Sequence, residues 1–181
     1  MKTRTVLLWA IVLFVIDQVI KIIISRYFLD VNFDIISPLF YFKPKYNTHH
    51  SYINDLFKLG WGFWTHFIIR CFTAILIVFL YDLFKAISSN AKIINTAFIF
   101  IFAALLCVFI DDIIWGGSLD YIYLKPLFIF DLKDLYSNIF IILFLSYYIK
   151  NRIHLSSFKS KDVIHHFKNR LTSIKNINKN G

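Results

Sequence analysis

The sequence predicts an all-α membrane protein with four transmembrane helices and a short extracytoplasmic β-structure between helices 1 and 2. Hydrophobic residues make up 58% of the 181 residues and the mean hydropathy is +0.62, whereas a soluble domain would be about 45–50% apolar. Four windows reach the length of about 20 apolar residues that a span needs: roughly 6–25, 63–82, 93–114 and 129–149. We expect a single membrane domain over residues 1–150, followed by a basic tail over 151–181.

The first window resembles a secretory signal peptide, because Lys2 and Arg4 precede it. Its apolar run from Val6 to Ile24 is too long for the core of a signal peptide, and no small-residue cleavage site follows it. We therefore expect this window to be retained as a membrane span.

Basic residues near the span ends predict the orientation, because cytoplasmic loops are enriched in Lys and Arg. They precede span one, lie between spans two and three (Lys85 and Lys92), and follow span four (Lys150 and Arg152). Both termini are therefore predicted to be cytoplasmic. The segment from Lys150 to Gly181 has eight basic residues against one Asp, which is +7 of the net charge of +9. This excess favours contact with anionic inner-leaflet lipids over nucleic-acid binding.

The predicted outer segment between spans one and two, residues 26–62, has strand-like character. Apolar and aromatic residues over 33–42 favour strands, residues 47–51 are typical of a turn, and residues 52–59 are expected to form a short interfacial helix. Tryptophans at the outer span ends fit an aromatic belt: Trp61, Trp64 and Trp115.

Acidic residues are concentrated at the outer ends of the spans. All eleven acids are Asp, and five of them lie within twenty-four residues: Asp111, Asp112, Asp120, Asp131 and Asp134. Asp17 and Lys21 lie toward the outer end of span one. Ionisable groups at membrane depth are costly and usually mark a functional site. We therefore expect these carboxylates to converge near one leaflet.

Two carboxylates that share a proton can activate a water and protonate a departing amine, which is the aspartic-protease arrangement. Asp120 and Asp134 are the best pair, because a glycine-containing turn precedes Asp120 and Asp134 lies one turn inside span four. Asp131 is three residues earlier on the same helical face, and an N-cap role is favoured for it over catalysis. This chemistry needs no metal and no cofactor.

Other catalytic or metal-binding patterns are weak. The chain has no GxSxG and no HExxH motif. Cys71 and Cys107 both fall inside apolar runs, which favours buried thiols over a disulfide or a zinc site. His49 and His50 are adjacent on a loop and lack further ligands nearby in sequence, so a metal role is not expected.

Four sequence blocks resemble those of the lipoprotein signal peptidases (signal peptidase II). Asp17-Gln18 with Lys21 is similar to the Asp-Gln-x-x-Lys signature in the family's first span, and Asn47-Thr48 followed by Tyr52 resembles its Asn-x-Gly-Ala-Ala-Phe segment. The block 110–122 is similar to Ile-Asp-Arg…Gly…Val-Asp-Phe-Ile, and the block 128–134 is similar to Phe-x-Phe-Asn-x-Ala-Asp. The blocks occur in the family's order over about residues 5–150.

The resemblance implies an intramembrane aspartic endopeptidase. Members of this family remove the signal peptide from prolipoproteins by cleaving before a Cys that carries a diacylglyceryl group. The family's catalytic aspartates correspond to Asp120 and Asp134, its extracytoplasmic β-cradle corresponds to about 28–60, and its setting is the bacterial inner membrane. Supporting or substrate-binding roles are implied for Asp17, Lys21, Asn47, Asp111 and Asp131. The implied partners are a lipid-modified prolipoprotein and membrane lipids, and a monomer is expected.

The chain departs from the family pattern around the two catalytic positions. The family's Arg is replaced by Asp112, its Asn by Asp131 and its small Ala by Lys133, while His49-His50-Ser51 stands in place of Gly-Ala-Ala. Losing a cation and gaining acids should make the pair titrate at higher pH, unless Lys21 or Lys133 supplies the positive charge. Arg70, in span two, is a further source of positive charge, although a structural role is favoured.

Two alternatives to the peptidase remain open from the sequence. One is a non-proteolytic relative whose acidic cluster binds a cation or protons. The other is a lipoprotein-binding scaffold that kept the cradle and lost turnover. Retention of both Asp120 and Asp134 favours the peptidase.

Overall fold

A computed structural model gives the structure of this protein and describes residues 2–48, 54, 56–88, 90–152 and 172. Its helices are α1 (Thr3–Tyr27), α2 (Phe63–Ile87), α3 (Ala91–Ile114) and α4 (Leu132–Lys150). Its strands are β1 (Phe33–Ile36), β2 (Phe40–Asn47), β3 (Ser118–Leu124) and β4 (Phe128–Phe130). Most of the tail, the pair His49-His50 and positions 52, 53 and 55 of the expected interfacial helix at 52–59 lie outside the described residues.

All four helices are long and apolar enough to cross a membrane, which confirms the predicted spans. The helices extend the predicted windows at most ends, because the polar flanking residues continue the helical hydrogen bonding. The start of the last span is the exception. Asp131 has extended backbone and caps α4, so the helix begins at Leu132 rather than at 129.

Helix α3 lies at the centre of the bundle and packs against α1, α2 and α4. Small side chains on α3 allow this close approach, and Ala97 and Ala103 are fully buried. The polar side chain of Asn95 is also buried, and its Oδ1 accepts a hydrogen bond from the Tyr81 hydroxyl of α2 at 3.0 Å. The other three helices present many exposed apolar side chains, as a lipid-facing surface requires.

The β-structure is a four-stranded antiparallel sheet with the order β1-β2-β3-β4. Strands β1 and β2 come from the segment between α1 and α2, as predicted. Strands β3 and β4 come from the short segment between α3 and α4, which was not predicted to contribute to the sheet. Pairing of β2 with β3 aligns Lys45 with Asp120 and Asn47 with Ser118. The sheet therefore joins the two outer segments of the chain.

Gly117 allows β3 to start close beside the end of β2. Its φ is +155°, and a Cβ at this position would lie 2.1 Å from the backbone oxygen of Asn47. No other residue type could adopt this backbone at this distance without displacing β2. The turn at Gly116 and Gly117 thus carries the chain from the end of α3 into β3 and places Asp120 above the bundle.

Candidate active site

Asp120 and Asp134 are brought together by different elements. Asp120 lies on β3 and Asp134 lies in the first turn of α4, and a carboxylate oxygen of one lies within 4.8 Å of a carboxylate oxygen of the other. Two hydrogen bonds of ordinary length through one water would span about 5.5 Å. The two carboxyl groups are therefore close enough for one water molecule to hydrogen-bond to both. Asp120 is 6% exposed and Asp134 is half-buried.

The orientation of Asp134 follows from a reciprocal cap at the start of α4. The Asp134 backbone N–H donates to Asp131 Oδ1 at 3.3 Å, and the Asp131 N–H donates to Asp134 Oδ2 at 3.2 Å. This arrangement satisfies two backbone donors that a helix start leaves unpaired. The predicted N-cap role of Asp131 is confirmed, and the same cap holds one oxygen of Asp134.

Two neighbouring side chains hold Asp120. The Asn47 Nδ2 donates to Oδ2 of Asp120 at 3.1 Å, and the Ser118 hydroxyl donates to Oδ1 at 2.7 Å. Asn47 was among the predicted supporting residues. Ser118 was not among the predicted site residues. Its position two residues before Asp120 on one strand is the signal that both side chains lie on one face of the sheet.

A buried ion cluster adjoins the pair. Lys21 is fully buried, and its Nζ lies 3.0 Å from Asp17, 2.6 Å from Asp111 and 2.6 Å from Asp131. Lys21 was among the predicted supporting residues and was considered as a source of the missing positive charge. The structure gives the ion pairs. An ammonium surrounded by three carboxylates offsets much of the cost of burying them.

Gln18 and Trp115 complete one side of this cluster. The Gln18 side-chain amide donates to Asp111 Oδ1 at 2.8 Å and to Asp17 Oδ2 at 3.0 Å. Its Oε1 accepts a hydrogen bond from the Trp115 indole at 3.3 Å. Trp115 was interpreted as an interfacial tryptophan, and the hydrogen bond adds an orienting role within the bundle.

Lys133 brings a second cation to the cluster. Its Nζ lies 2.5 Å from Asp131 Oδ2, 3.3 Å from Asp111 Oδ2 and 3.5 Å from Asp120 Oδ1. It also donates to the Ser118 hydroxyl at 2.5 Å. The sequence predicted that the catalytic pair would titrate at higher pH unless Lys21 or Lys133 supplied the missing positive charge. Both lysines lie in this cluster and supply that charge.

These cations set the ionisation of Asp131. Burial alone would raise the pKa of the Asp131 carboxyl, but the neighbouring Lys133 and Lys21 bring the pKa below its ordinary value. Asp131 is therefore ionised. Burial raises the pKa of the nearby Tyr121 phenol well above its usual range, so that side chain stays neutral.

Arg70 and Asp112 form a separate ion pair between α2 and α3. Asp112 is largely buried, and the side chain of Arg70 is 15% exposed. The residue that replaces the family's Arg is thus neutralised by a cation from another helix. The pair supports the structural interpretation of Arg70.

Among the residues that the structure describes, two groups of three carboxylates have oxygens within 4.8 Å of one another: Asp17, Asp111 and Asp131, and Asp120, Asp131 and Asp134. Such groups are the ones that a bound cation would use. In the first group, however, each of the three residues makes an ion pair with Lys21 Nζ. In the second, Asp131 and Asp120 face Lys133. Lysine ammonium groups therefore supply the compensating charge in both groups.

Comparison with known proteins gives both a family and a fold. Residues 9–150 match the family model described as signal peptidase (SPase) II. A solved bacterial membrane enzyme is similar, with a TM-score of 0.65 and 23% identity, over 86% of this chain and 93% of that chain. A second has a TM-score of 0.59 and 24% identity, over 78% and 90% of the two chains. These likenesses show the fold.

No curated protein sequence matches this chain at a significant level. The family match nevertheless covers most of α1, all of the other three helices and both segments that form the sheet. The chain therefore belongs to the signal peptidase II family.

Proposed function

We propose that this protein is an intramembrane aspartic endopeptidase that removes the signal peptide from lipid-modified prolipoproteins, cleaving before the lipidated Cys. The observation that carries the proposal is the approach of the Asp120 and Asp134 carboxylates to within 4.8 Å, at the end of a bundle of membrane-length helices. Membership of a peptidase family supports it.

The mechanism uses one ionised and one protonated carboxyl group. The ionised carboxylate takes a proton from the water held between the two residues, and the water oxygen bonds to the scissile carbonyl carbon. The protonated carboxyl gives its proton to the carbonyl oxygen, which forms a gem-diol. The C–N bond then breaks, the amine takes the proton from the first carboxyl, and a diol hydroxyl returns a proton to the second.

The site suits a substrate that is itself anchored in the membrane. Asp120 lies on the sheet and Asp134 at the start of a helix, so the pair lies where the helices end. A lipid-anchored prolipoprotein would enter laterally, with its cleavage point at this boundary. We place the site on the outer side of a bacterial inner membrane, with both termini cytoplasmic and the protein acting as a monomer.

Complementation tests the proposal. A bacterial strain lacking its own signal peptidase II would express the wild type, Asp120→Asn, Asp134→Asn, and the matched control Asp34→Asn, which changes an exposed carboxylate on β1. Prolipoprotein processing should be restored by the wild type and the control and absent in both dyad variants.

The identity of the bond cleaved would be checked by mass spectrometry of the mature lipoprotein. The proposal predicts an N-terminal Cys carrying its diacylglyceryl group. Full processing by either dyad variant would reject the catalytic assignment. Binding of the prolipoprotein without cleavage by the wild type would favour the scaffold alternative.

A further inference from the structure

Lys133 occupies an unusual position for a cation. It is the second residue of α4, where the positive end of the helix dipole disfavours an ammonium group. Its side chain is nevertheless only 11% exposed. The compensation comes from three carboxylates on three elements, Asp131, Asp111 and Asp120.

A hydrogen-bond relay connects Lys133 to one member of the proposed catalytic pair. The Lys133 ammonium donates to Ser118 Oγ at 2.5 Å, and the nearest acceptor for the Ser118 hydroxyl proton is Asp120 Oδ1 at 2.7 Å, against 3.3 Å to Asp131 Oδ2 and 3.4 Å to Asp111 Oδ2. Asn47 donates to the other oxygen of Asp120 at 3.1 Å. Donors and a cation around a carboxylate favour its ionised form.

The environment of Asp134 is different. The hydrogen bond that its carboxylate accepts is from the backbone N–H of Asp131. Lys133, the preceding residue on α4, attracts a negative charge on Asp134, whereas burial and the carboxylates of Asp131, its partner in the cap, and of Asp120 oppose one. The two members of the pair are therefore not equivalent, and Asp134 is the one whose neighbours favour a bound proton.

We propose that Lys133, acting through Ser118, is a positioning residue that keeps Asp120 ionised and leaves the shared proton on Asp134. This inference rests on the proposed peptidase function. It assigns the two roles in the first step: Asp120 takes the proton from water, and Asp134 gives its proton to the carbonyl oxygen.

The contact between Ser118 and Lys133 also resembles a serine nucleophile with a lysine base. That mechanism requires a neutral lysine. Lys133 faces the carboxylates of Asp131, Asp111 and Asp120, and the carboxyl of Asp134 is next to it on its own helix, whereas Lys21 is the opposing cation among the described residues. These surroundings favour the ammonium form. The shortest hydrogen bond that the Ser118 hydroxyl donates, moreover, is the one to Asp120, which fits a relay.

The test is the pH dependence of kcat/KM for cleavage of a purified lipid-modified prolipoprotein by the purified enzyme in lipid. In Lys133→Ala the acidic limb should move to higher pH by about one unit, because an opposite charge within hydrogen-bonding range favours the ionised carboxylate by at least that much. On that limb kcat/KM should fall about tenfold, through a lower kcat rather than a higher KM. Lys133→Arg should restore most of the profile. The matched control Lys125→Ala removes an exposed lysine from the edge of the sheet and should leave the profile unchanged.

A double variant separates this role from simple neutralisation of Asp131. Asp131→Asn with Lys133→Ala removes both charges of the closest pair. If Lys133 only balances Asp131, the double variant will recover the wild-type profile, which would overturn the proposal. The proposal requires that the acidic limb stays shifted. An unchanged profile in Lys133→Ala would overturn it as well.

Ser118→Ala keeps the inference testable if Lys133→Ala does not fold, because it breaks the relay without removing a charge. It should shift the acidic limb in the same direction while retaining measurable activity. Complete loss of activity in a folded Ser118→Ala protein would contradict the relay and favour a serine nucleophile.

Wild-type cleavage that depends on Asp120 is measured first: its absence would reject the proposed function, whereas cleavage without any shift rejects only this inference.

Discussion

Asn47 and Ser118 face each other across the β2–β3 pair, and each donates a hydrogen bond to a different oxygen of Asp120. Asn47 ends β2, in the segment between α1 and α2, whereas Ser118 begins β3, in the segment between α3 and α4. Strand pairing therefore assembles the Asp120 environment from two distant parts of the chain.

Asn47→Ala should lower the rate of cleavage with little change in folding. Hydrogen bonds to a charged group contribute about 1.5–3 kcal/mol, so kcat/KM should fall about tenfold or more. Steady-state cleavage of a prolipoprotein measures the effect. Asn138→Ala, which changes an exposed amide on α4, should leave kcat/KM unchanged. Equal activities of the two variants would show that Asn47 does not act on Asp120.

Lys21→Met should destabilise the fold. The substitution keeps the length of the side chain but leaves Asp17, Asp111 and Asp131 without their central cation, and breaking a buried ion pair costs about 3–5 kcal/mol. Thermal unfolding in detergent should show a clear drop in Tm. The matched variant Lys43→Met changes an exposed lysine on β2 and should show none. A Tm near that of the wild type would mean that the cluster does not depend on Lys21.

Gly117→Ala should damage both stability and activity. The added Cβ would collide with the Asn47 backbone oxygen and the residue would keep a positive φ, which together cost about 2–3 kcal/mol or more. We expect a lower Tm and loss of cleavage, since the collision separates β2 from β3. Gly62→Ala is the control, because nothing lies within 4 Å of its added Cβ. A normal Tm in Gly117→Ala would contradict the close approach of the two strands.

Arg70→Met should lower stability without changing the pH profile of cleavage. Arg70 pairs with Asp112 between α2 and α3, and removal of one partner leaves a largely buried carboxylate uncompensated. A drop in Tm that is smaller in the double variant Arg70→Met with Asp112→Asn would locate the effect in the pair. A shift of the acidic limb of kcat/KM in Arg70→Met would instead place Arg70 in the electrostatics of the catalytic pair.

Asp131 should make folding stability depend on acid pH. Its folded-state pKa is below the ordinary value of about 3.9, so it binds a proton more readily when unfolded. Its contribution to stability is therefore present above about pH 4 and is lost as the pH falls through the folded-state pKa. Equilibrium unfolding at several pH values should show this loss in the wild type and a flatter dependence below about pH 4 in Asp131→Asn. Parallel curves for the two proteins would contradict the depressed pKa.

Part of the fold could be predicted from local sequence. Runs of about 20 apolar residues leave no other way to satisfy backbone hydrogen bonds in lipid than a helix, and the four helices are confirmed. The strands between α1 and α2 were predicted from β-prone residues around Pro38. The second hairpin was missed, although Pro126-Leu127-Phe128 repeats Pro38-Leu39-Phe40 at the corresponding turn. That repeat was the signal for β3 and β4.

The sequence alone determined that carboxylates would gather at one end of the bundle, because Asp residues placed at the ends of successive antiparallel spans must lie near one another. It also determined the cap at Asp131, since a cap depends on residues only three apart. The partners of each carboxylate were decided by the tertiary structure. Asp120 meets Asn47 through strand pairing, Asp112 meets Arg70 across two helices, and Ser118 joins Lys133 to Asp120. Those contacts depend on which helix faces and strand registers meet, and residues far apart in the chain carry no local pattern that specifies them.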